Sequence, residues 1–584
     1  MEENSHMAKI VSAAEAAKKV EDGSIIIFAA DGMVCYPNEL VNAIRDRYIE
    51  EKHPAGITSF RSSGMGDFKF DQLGEEAWCI EGLLTRSISA YVSVAPGMGR
   101  LIEENKIQGY MFPLGPMMQA TSEAARGMPG VLSKVGLGTF MDARYGGGKL
   151  NKLTEEEGED FVKYISDFEG EEYLWYKAPK FNVCLLRATT ADSHGNLSCE
   201  KETMRPGMLP AAQAVKTNGG IVIAQVEKIA GLNEIHPRMV EVPGIYVDYI
   251  VVEEHPEDVP QTMARFHRED FNPAFTGEQI VSMKKNNEIM PLNPQKVIAR
   301  RAALEVPEVC NANFGLGMPQ NVPSILEECG KGKYVNMISE TGVIGGVPAQ
   351  GRDFGAHYNP ESFTDRGIHF SFFDGGNLDI GIFGFSEVDS SGSMNTSHLN
   401  GHLTGIGGFT DISSSSRKVV FMGTYSAKGL KEEIKDGKLN IIQEGQFKKF
   451  IKKCAKVSFD GQQYLKNHDS YLIITERAVI RVTKEGMVLE EIAPLAAGKL
   501  FLSVAAGKEL AWLSARLGHG CIVRAMPNIN AVVGASVTGW CAGEQVTEEQ
   551  KALAARLLGT FGTAVEVPEK FMGIVGAIGG AAPA

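Results

Sequence analysis

The sequence predicts an α/β protein with two similar open α/β domains in tandem and a small, partial α/β module at the C-terminus. Three observations lead to this fold class. Apolar Val/Ile runs alternate with helical patterns, one order of elements occurs twice, and the character of the sequence changes after about residue 493. Strands and helices that alternate in this way are typical of sheets covered by helices on both faces.

The repeated order of elements occupies residues 13–44 and 295–326. In each copy a short helix with small and basic residues leads to an apolar strand, then a glycine turn, a proline and a second helix. The repeat favours a duplicated or fused domain, although any two α/β units share such an order. The polar segment 276–294 between the copies has the character of a linker, so the domains are predicted at 8–275 and 295–494.

Further strands are predicted where β-branched and aromatic residues cluster in short runs. These runs are 219–230, 246–254, 378–388, 418–425 and 470–483.

The C-terminal module is predicted over residues 495–584. Residues 500–534 have a strand–helix–strand pattern. Residues 547–562 have the signals of a helix, because Thr547 is a good N-cap, the first turn is acidic and a glycine ends the segment.

Composition excludes several classes of function. The net charge of −14 argues against nucleic acid as a partner, since phosphate binding depends on clustered Lys and Arg. No apolar run is long enough to predict a membrane span. The nine cysteines are scattered without a CxxC pair, which favours reduced thiols in a cytoplasmic protein and no metal site.

One acidic residue stands out in YVNMISETGVIGGVP, residues 334–348. Glu340 follows an apolar strand and precedes a glycine-rich turn, and the carboxyl ends of strands are where α/β folds bind ligands. A carboxylate in such a place can act as a nucleophile toward an activated carbonyl, with backbone N–H groups to hold a developing oxyanion. The alternative is an ordinary glutamate on a surface loop.

SETGVIGGVP resembles the active-site signature of class I CoA-transferases, in which Ser or Ala, Glu, any residue and Gly precede a run of small residues. The resemblance extends over residues 8–493 and is strongest to the propionate and acetate (3-oxoacid) CoA-transferase branch. The supporting blocks are GVLSKVGLGTFMDARYGGGKLN (130–151), VEVPGIYVDYIVVEEHPED (240–258), residues 345–395 and residues 405–430.

The resemblance implies a ping-pong exchange of CoA between an acyl-CoA and a short-chain carboxylic acid, through a glutamyl-CoA thioester at Glu340. One thioester is made for each one broken, so no ATP, metal or cofactor is implied, and the CoA thioester is itself a substrate. The sequence also lacks GxxxxGK[ST] and HExxH. Members of the family form dimers or tetramers, so a homo-oligomer is expected.

The resemblance also implies roles for other residues. Gly315 and Gly317 in FGLGMP match a CoA-binding loop, and Gly407 and Gly408 in GIGGF match a loop whose N–H groups face the reacting carbonyl. Lys418 falls near a basic residue that meets a CoA phosphate. The alternative for the FGLGMP loop is a plain strand–turn–helix, and for the GIGGF loop it is a tight turn. The alternative for Lys418 is a solvated lysine at the start of a strand.

One departure concerns the oxyanion. The family commonly has Pro-Gln-Gly in the first domain, with the Gln amide as a donor, whereas this sequence has Leu114 there. Loss of one such donor reduces rates by about 10²–10³-fold. Gln119 lies nearby in sequence. Asp31 and His357 are polar residues of the kind that is more often structural.

Residues 495–584 resemble the middle of pyrroline-5-carboxylate reductase, through LSVAAGKELAWL, IVRAMPNINAVVG and QVTEEQKALAARLLGTFGTAVEV. The GxGxxG turn that would hold a dinucleotide has no counterpart, which implies a partial module without reductase activity. Three functions therefore remain open: an active CoA-transferase, a non-catalytic acyl-CoA-binding or interaction protein, and a bifunctional transferase–reductase.

Overall fold

The structure is a computed structural model, and it confirms the α/β fold class. It describes residues 8–32, 34–69, 73–256, 262, 272–282, 289–399, 402–492, 500–504, 507–517, 520–528, 531 and 536–581. Residues 283–288 of the predicted linker and the predicted boundary at 494/495 lie outside the described residues. The domain boundaries therefore stay a prediction.

The first half is built on a parallel sheet of eight strands, with two short antiparallel strands added to it. The strand order reverses between Ile25–Phe28 and Val183–Asp192, and the latter strand is buried at every residue. The eight strands, from edge to edge, are Lys9–Ile10, Tyr249–Val252, Ile221–Ala230, Val183–Asp192, Ile25–Phe28, Ile57–Arg61, Leu84–Ser89 and Gln108–Tyr110; the two added strands are Leu197–Ser198 and Val240–Val242.

Helices cover this sheet, and the longer ones bury apolar residues. In Asn38–Glu51, for example, Leu40, Val41, Ile44 and Tyr48 are buried at the spacing of helical turns. The other α-helices of this half are Ala13–Ala17, Pro96–Glu103, Leu114–Ala125, Lys152–Glu157 and Met208–Thr217, and a small antiparallel sheet is formed by Gly130–Ser133, Val162–Phe168 and Glu171–Lys177.

The second half contains a seven-stranded sheet whose first five strands are parallel. The segment 470–483, predicted as one strand, is two antiparallel strands joined by a turn. The strands in spatial order are Val335–Met337, Cys310–Phe314, Ile380–Phe383, Val419–Met422, Ser470–Ile474, Ala478–Thr483 and Gly486–Ile492; the helices are Asn272–Thr276, Pro294–Ala303, Asn321–Glu328, Arg366–Asp374, Phe409–Ser415 and Gly461–Leu465.

The second half also carries short antiparallel strand pairs outside its main sheet. They are Val343–Ile344 with Ser362–Phe363, Val347–Pro348 with His357–Tyr358, Glu387–Val388 with Met394–Asn395, His398–Leu399 with His402–Leu403, Ser426–Ala427 with Phe447–Lys448, and Lys431–Lys435 with Lys438–Gln443.

The predicted repeat is confirmed at the level of element order. The strands Ile25–Phe28 and Cys310–Phe314 are each preceded and followed by a helix. Each also lies at the point where the strand order of its sheet reverses. The two halves therefore present the same kind of ligand-binding edge.

The C-terminal residues form a four-stranded sheet with helices. Thr547 caps Glu548–Gly559 as predicted, since its hydroxyl accepts from the N–H of Gln550 at 3.2 Å. The strands are Phe501–Ser503, Ile522–Met526, Ser536–Ala542 and Gly562–Glu566, and the other helices are Leu510–Leu517 and Met572–Ala581. Within the described residues, no helix is both long and apolar enough to cross a membrane.

A buried cation joins the central strands of the first sheet. The Arg187 side chain is fully buried, and its guanidinium lies 2.8 Å from Glu253, 3.4 Å from Glu227 and 3.6 Å from Glu202. Burial raises the pKa of Glu202 to about 7, and Arg187 opposes this rise. Removing the cation would leave several buried carboxylates uncompensated.

We expect Arg187→Met to lower the free energy of unfolding by about 3–5 kcal/mol, the usual loss when one partner of a buried ion pair is removed. The control is Arg481→Met, because Arg481 pairs with Glu490 on a partly exposed surface, where such pairs contribute about 0–1 kcal/mol. Urea unfolding followed by circular dichroism measures both. Equal losses would contradict a special role for Arg187.

Candidate active site

A cleft of about 470 Å³ lies between the two halves, at the carboxyl ends of both parallel sheets. The first half contributes Asp31, Ser63 and Tyr91, each from a loop that follows a strand. The second half contributes Glu340 and the loops after Cys310–Phe314 and Ile380–Phe383. The reversal points of both sheets thus face one cavity, as expected for a ligand site.

Glu340 is held at the mouth of this cleft by a tight turn. The N–H of Ser339 donates to the carbonyl of Val343 at 2.9 Å. Gly342 has φ +91°, and a Cβ there would lie 2.2 Å from the carbonyl oxygen of Thr364. Glycine at 342 therefore lets the neighbouring chain approach closely. The Glu340 side chain is 18% exposed and lines the cleft.

One hydrogen bond and one ion pair reach the Glu340 carboxylate. The N–H of Gly408 donates to Oε2 at 2.9 Å, and Nη2 of Arg366 lies 3.5 Å from Oε1. The Nε of Arg366 also donates to the main-chain carbonyl of Glu340 at 3.2 Å. Arg366 is fully buried and forms a close ion pair with Asp31 from the first half.

The surroundings raise the pKa of Glu340 above its usual value. Burial is the largest cause, and the negative charge of Asp31 adds to it. Arg366 and the Gly408 N–H act in the opposite direction. The carboxylate is therefore more basic than a solvated glutamate, which suits a nucleophile as long as the group is ionised.

The two glycines of GIGGF have different roles in the structure. The N–H of Gly408 points at Glu340, whereas the N–H of Gly407 donates to the carbonyl of Ala90 at 3.0 Å. We expected the N–H groups of both glycines to face the reacting carbonyl, but only the N–H of Gly408 points toward Glu340. Gly407 has φ +52°, and its bond to Ala90 anchors the loop to the first half.

Gly315 and Gly317 both line the cleft, as the CoA-binding prediction requires. Their N–H groups are already used, by the carbonyl of Ile382 at 2.9 Å and by the side chain of Gln320 at 3.0 Å. A Cβ at Gly317 would meet open space, although its φ of +88° favours glycine. Their contact with CoA stays a prediction.

The structure contradicts the CoA-binding role of Lys418. Its Nζ contacts Glu305 Oε2 at 2.6 Å and the Glu305 carbonyl at 3.0 Å. Lys418 precedes Val419–Met422, so it lies at the amino end of a parallel strand. The cleft is at the carboxyl end, on the opposite edge of the sheet.

Leu114 is fully buried as the first residue of Leu114–Ala125. The N–H groups of Leu114 and Gly115 donate to the Asp411 carboxylate at 3.1 and 2.8 Å. The Gln119 amide does not substitute for the family's glutamine, because it donates to Asp374 at 2.6 Å.

Sequence reasoning missed Arg366 and Tyr91. Arg366 follows the helix cap Asp365, a position where arginine is usually solvated, and only the fold shows that it is buried beside Glu340. Tyr91 lines the cleft, and burial raises the pKa of its hydroxyl. Asp31, expected to be structural, lies in the cleft wall.

In the parts of the chain described here, no group of three His, Cys, Asp or Glu could hold a metal ion.

Comparisons with known proteins found similar sequences over most of the chain. A family model described as Coenzyme A transferase matches residues 10–253. A caffeate CoA-transferase of Acetobacterium woodii is 40% identical over 493 residues, which cover 84% of this chain and 92% of the relative. The acetate CoA-transferase YdiF of Escherichia coli K12 is 36% identical over 487 residues, with 83% and 89% covered.

Solved structures show the same architecture. The apoenzyme of the acyl-CoA transferase YdiF from E. coli O157:H7 aligns with a TM-score of 0.77 and 35% identity over 84% of this chain and 91% of that one. Its thioester complex with CoA aligns with a TM-score of 0.75 over 83% and 90%. The resemblance of residues 495–584 to a reductase stays a prediction that these comparisons do not test.

We expect Glu340→Gln to raise the unfolding temperature at pH 8. Because the pKa of Glu340 is raised in the folded protein, its charged form destabilises the fold above that pKa, and a neutral amide removes this effect. The difference should shrink as the pH falls through the folded pKa toward the unfolded value of about 4.3. Thermal scans at pH 8 and pH 5 measure it.

The control is Glu81→Gln, since the Glu81 side chain is 79% exposed and solvent screens its charge. Its unfolding temperature should change little at either pH. A lower unfolding temperature for Glu340→Gln at pH 8 would show that Arg366 and Gly408 outweigh the effect of burial.

Proposed function

Because this chain belongs to the coenzyme A transferase family, we propose that it transfers CoA between an acyl-CoA and a short-chain carboxylic acid of the acetate or propionate type, with Glu340 as the covalent carrier. The observation that carries this proposal is the Glu340 carboxylate, which lies in the cleft with the Gly408 N–H 2.9 Å from Oε2. The names of the relatives, which include an acetate CoA-transferase, support the substrate class.

The proposed reaction has two half-reactions that reverse one another. A Glu340 oxygen attacks the thioester carbonyl, the C–S bond breaks, and an acyl-glutamyl anhydride forms with release of the CoA thiolate. The thiolate then attacks the glutamyl carbonyl, which releases the first acid and leaves a glutamyl-CoA thioester. A second acid takes the same steps in reverse. Each thioester broken is replaced by another, so we propose no ATP, metal or further cofactor.

Gly408 is proposed to stabilise the charge that develops on the glutamyl oxygen. When the thiolate attacks the Glu340 carbonyl carbon, one carboxyl oxygen becomes an oxyanion, and a donor already 2.9 Å away needs little rearrangement. Gly315 and Gly317 are proposed to let the CoA chain lie close to the backbone of the second half. Phe68 and Tyr91, from the first half, also line the cleft.

A cytoplasmic location and a homo-oligomeric state also remain proposals. The nine cysteines are free thiols in the structure, which supports a reducing compartment. The proposal of a homo-oligomer rests on the family resemblance alone.

A non-catalytic acyl-CoA-binding protein is the second candidate. The observation that favours it is Leu114, whose buried side chain has no amide to offer to an oxyanion. The proposal of catalysis therefore depends on direct chemical evidence of a covalent intermediate.

The test is to incubate the protein with acetyl-CoA and to analyse its peptides by mass spectrometry. We expect CoA on the peptide that contains Glu340, its loss in Glu340→Gln, and a fall in exchange between acetyl-CoA and propionate of about 10³-fold or more, since a covalent nucleophile is removed. Glu361→Gln is the control and should retain the adduct, because Glu361 is exposed and its N–H donates to the carbonyl of Ile344, four residues from Glu340. Exchange that persists in Glu340→Gln would reject the mechanism, and binding without an adduct would favour the second candidate.

We also expect Gly408→Ala to reduce exchange by about 10²–10³-fold, the usual effect of losing an oxyanion donor. A Cβ at residue 408 would lie 2.3 Å from Oε2 of Glu340, so the carboxylate must move off the N–H. The fold should survive, because the clashing atom is the end of a side chain. Gly99→Ala is the control, since its Cβ would make an ordinary 3.7 Å contact with Val92. Equal rates for both variants would remove Gly408 from the mechanism.

A further inference from the structure

Arg366 lies between two carboxylates that come from different halves of the molecule. Its Nη1 forms a close ion pair with Oδ2 of Asp31, whereas its Nη2 is 3.5 Å from Oε1 of Glu340. We propose that Asp31 is a positioning residue, which holds the Arg366 guanidinium toward the first half and so prevents a tight ion pair between Arg366 and the Glu340 nucleophile. This inference rests on the proposed function.

Asp31 is fixed by a tight turn at the carboxyl end of Ile25–Phe28. Its main-chain N–H donates to the Val34 carbonyl at 3.1 Å and its carbonyl accepts from the Val34 N–H at 2.9 Å. The next residue, Gly32, has φ +57° and donates to the Gly64 carbonyl at 2.8 Å. The carboxylate is 15% exposed and lies in the cleft wall, so the turn presents it to the other half.

Arg366 is equally constrained. It begins Arg366–Asp374, its main-chain N–H donates to the Arg205 carbonyl of the first half at 2.9 Å, and its Nε donates to the Glu340 carbonyl at 3.2 Å. The Nε bond therefore ties the guanidinium to the Glu340 main chain, whereas its two Nη atoms face the two carboxylates. Charge-assisted N–H···O bonds are about 2.7–2.9 Å long, so the 3.5 Å contact with Glu340 is a loose one.

The loose contact matters because Glu340 must be ionised and still reactive. A nearby cation keeps a partly buried carboxylate charged, whereas a tight, bidentate salt bridge would stabilise that charge and weaken the attack on a carbonyl. Asp31 occupies the Nη1 side of the guanidinium and excludes the bidentate arrangement. Asp31 comes from the first half. Glu340 is therefore charged and free of a tight salt bridge only when the two halves are packed together.

Other titratable groups lie in the cleft, next to Ser339 or on the helix of Arg366. Burial lowers the pKa of both His357 and His369 to about 4, so both rings are neutral. Burial raises the pKa of Tyr91, whose hydroxyl therefore stays protonated. On the helix of Arg366, the Asp365 carboxylate accepts from the Gly367 N–H, and burial raises its pKa.

The test is the pH dependence of adduct formation in Asp31→Asn. Loss of the negative charge of Asp31 lowers the pKa of Glu340 directly. It also frees Arg366 to pair with Glu340, which lowers the same pKa further. We expect single-turnover formation of the Glu340–CoA adduct from acetyl-CoA to fall about 10–100-fold at pH 7. The acid limb of its pH profile should move about one pH unit lower. Asp31→Glu should restore part of the rate.

Two further variants separate this role from a structural one. In an Arg366→Gln background, Asp31→Asn should move the acid limb less than it does in the unaltered protein, because only the direct effect of the Asp31 charge on Glu340 remains. The control is Asp67→Asn, which removes another ion pair between the halves, with Arg352 at 3.2 Å. It should leave the acid limb in place even if it lowers stability.

The inference would be overturned by an acid limb that stays in place or moves to higher pH in Asp31→Asn. A downward shift of the same size in the Arg366→Gln background would also overturn it, because Asp31 would then act only through its own charge and not through the guanidinium. These failures are distinct from that of the proposed function, in which the unaltered protein itself would form no adduct.

Discussion

The site depends on keeping one partly buried carboxylate charged. Moving a carboxylate out of water disfavours its ionised form, and Glu340 accordingly has a raised pKa. Two groups offset the cost of keeping Glu340 ionised: the main-chain N–H of Gly408 and the buried guanidinium of Arg366. Each is held by the fold, so neither has to reorganise as charge moves during a reaction. A surface glutamate would be charged without such help and would be a weaker base.

The tandem arrangement supplies this environment from two sides. Each half places its strand-order reversal at the same cleft, so ligand-binding edges that would be separate in two free domains face each other. The second half carries the nucleophile, its cation and its N–H donor, while the first contributes Asp31 and the ring of Tyr91. The ion pair between Asp31 and Arg366 crosses the boundary. Chemistry and domain packing are therefore coupled by the same contacts.

Local patterns in the sequence were enough for the fold class, the repeated helix–strand–helix order and the position of Glu340 after a strand. These features depend on hydrophobic periodicity and glycine turns, which act over a few residues. The cation at 366 could not be predicted, because its burial depends on Asp31 in the other half of the chain. Lys418 was matched to a phosphate contact by its place in the family pattern, although the direction of its strand puts it at the edge of the sheet away from the cleft. The split between Gly407 and Gly408 depends on a single hydrogen bond to Ala90.

The leucine at position 114 shows why a missing side-chain donor does not by itself exclude catalysis. The backbone there has its own role, because the first N–H groups of a helix need acceptors and those of Leu114 and Gly115 find one in Asp411. Asp411 lies in Phe409–Ser415, the helix that begins directly after Gly408. The contact thus fixes, from the first half, the loop whose N–H faces Glu340. A glutamine side chain would add a second donor, but the donor already present is positioned by main-chain hydrogen bonds that use the N–H of residue 114 and not its side chain.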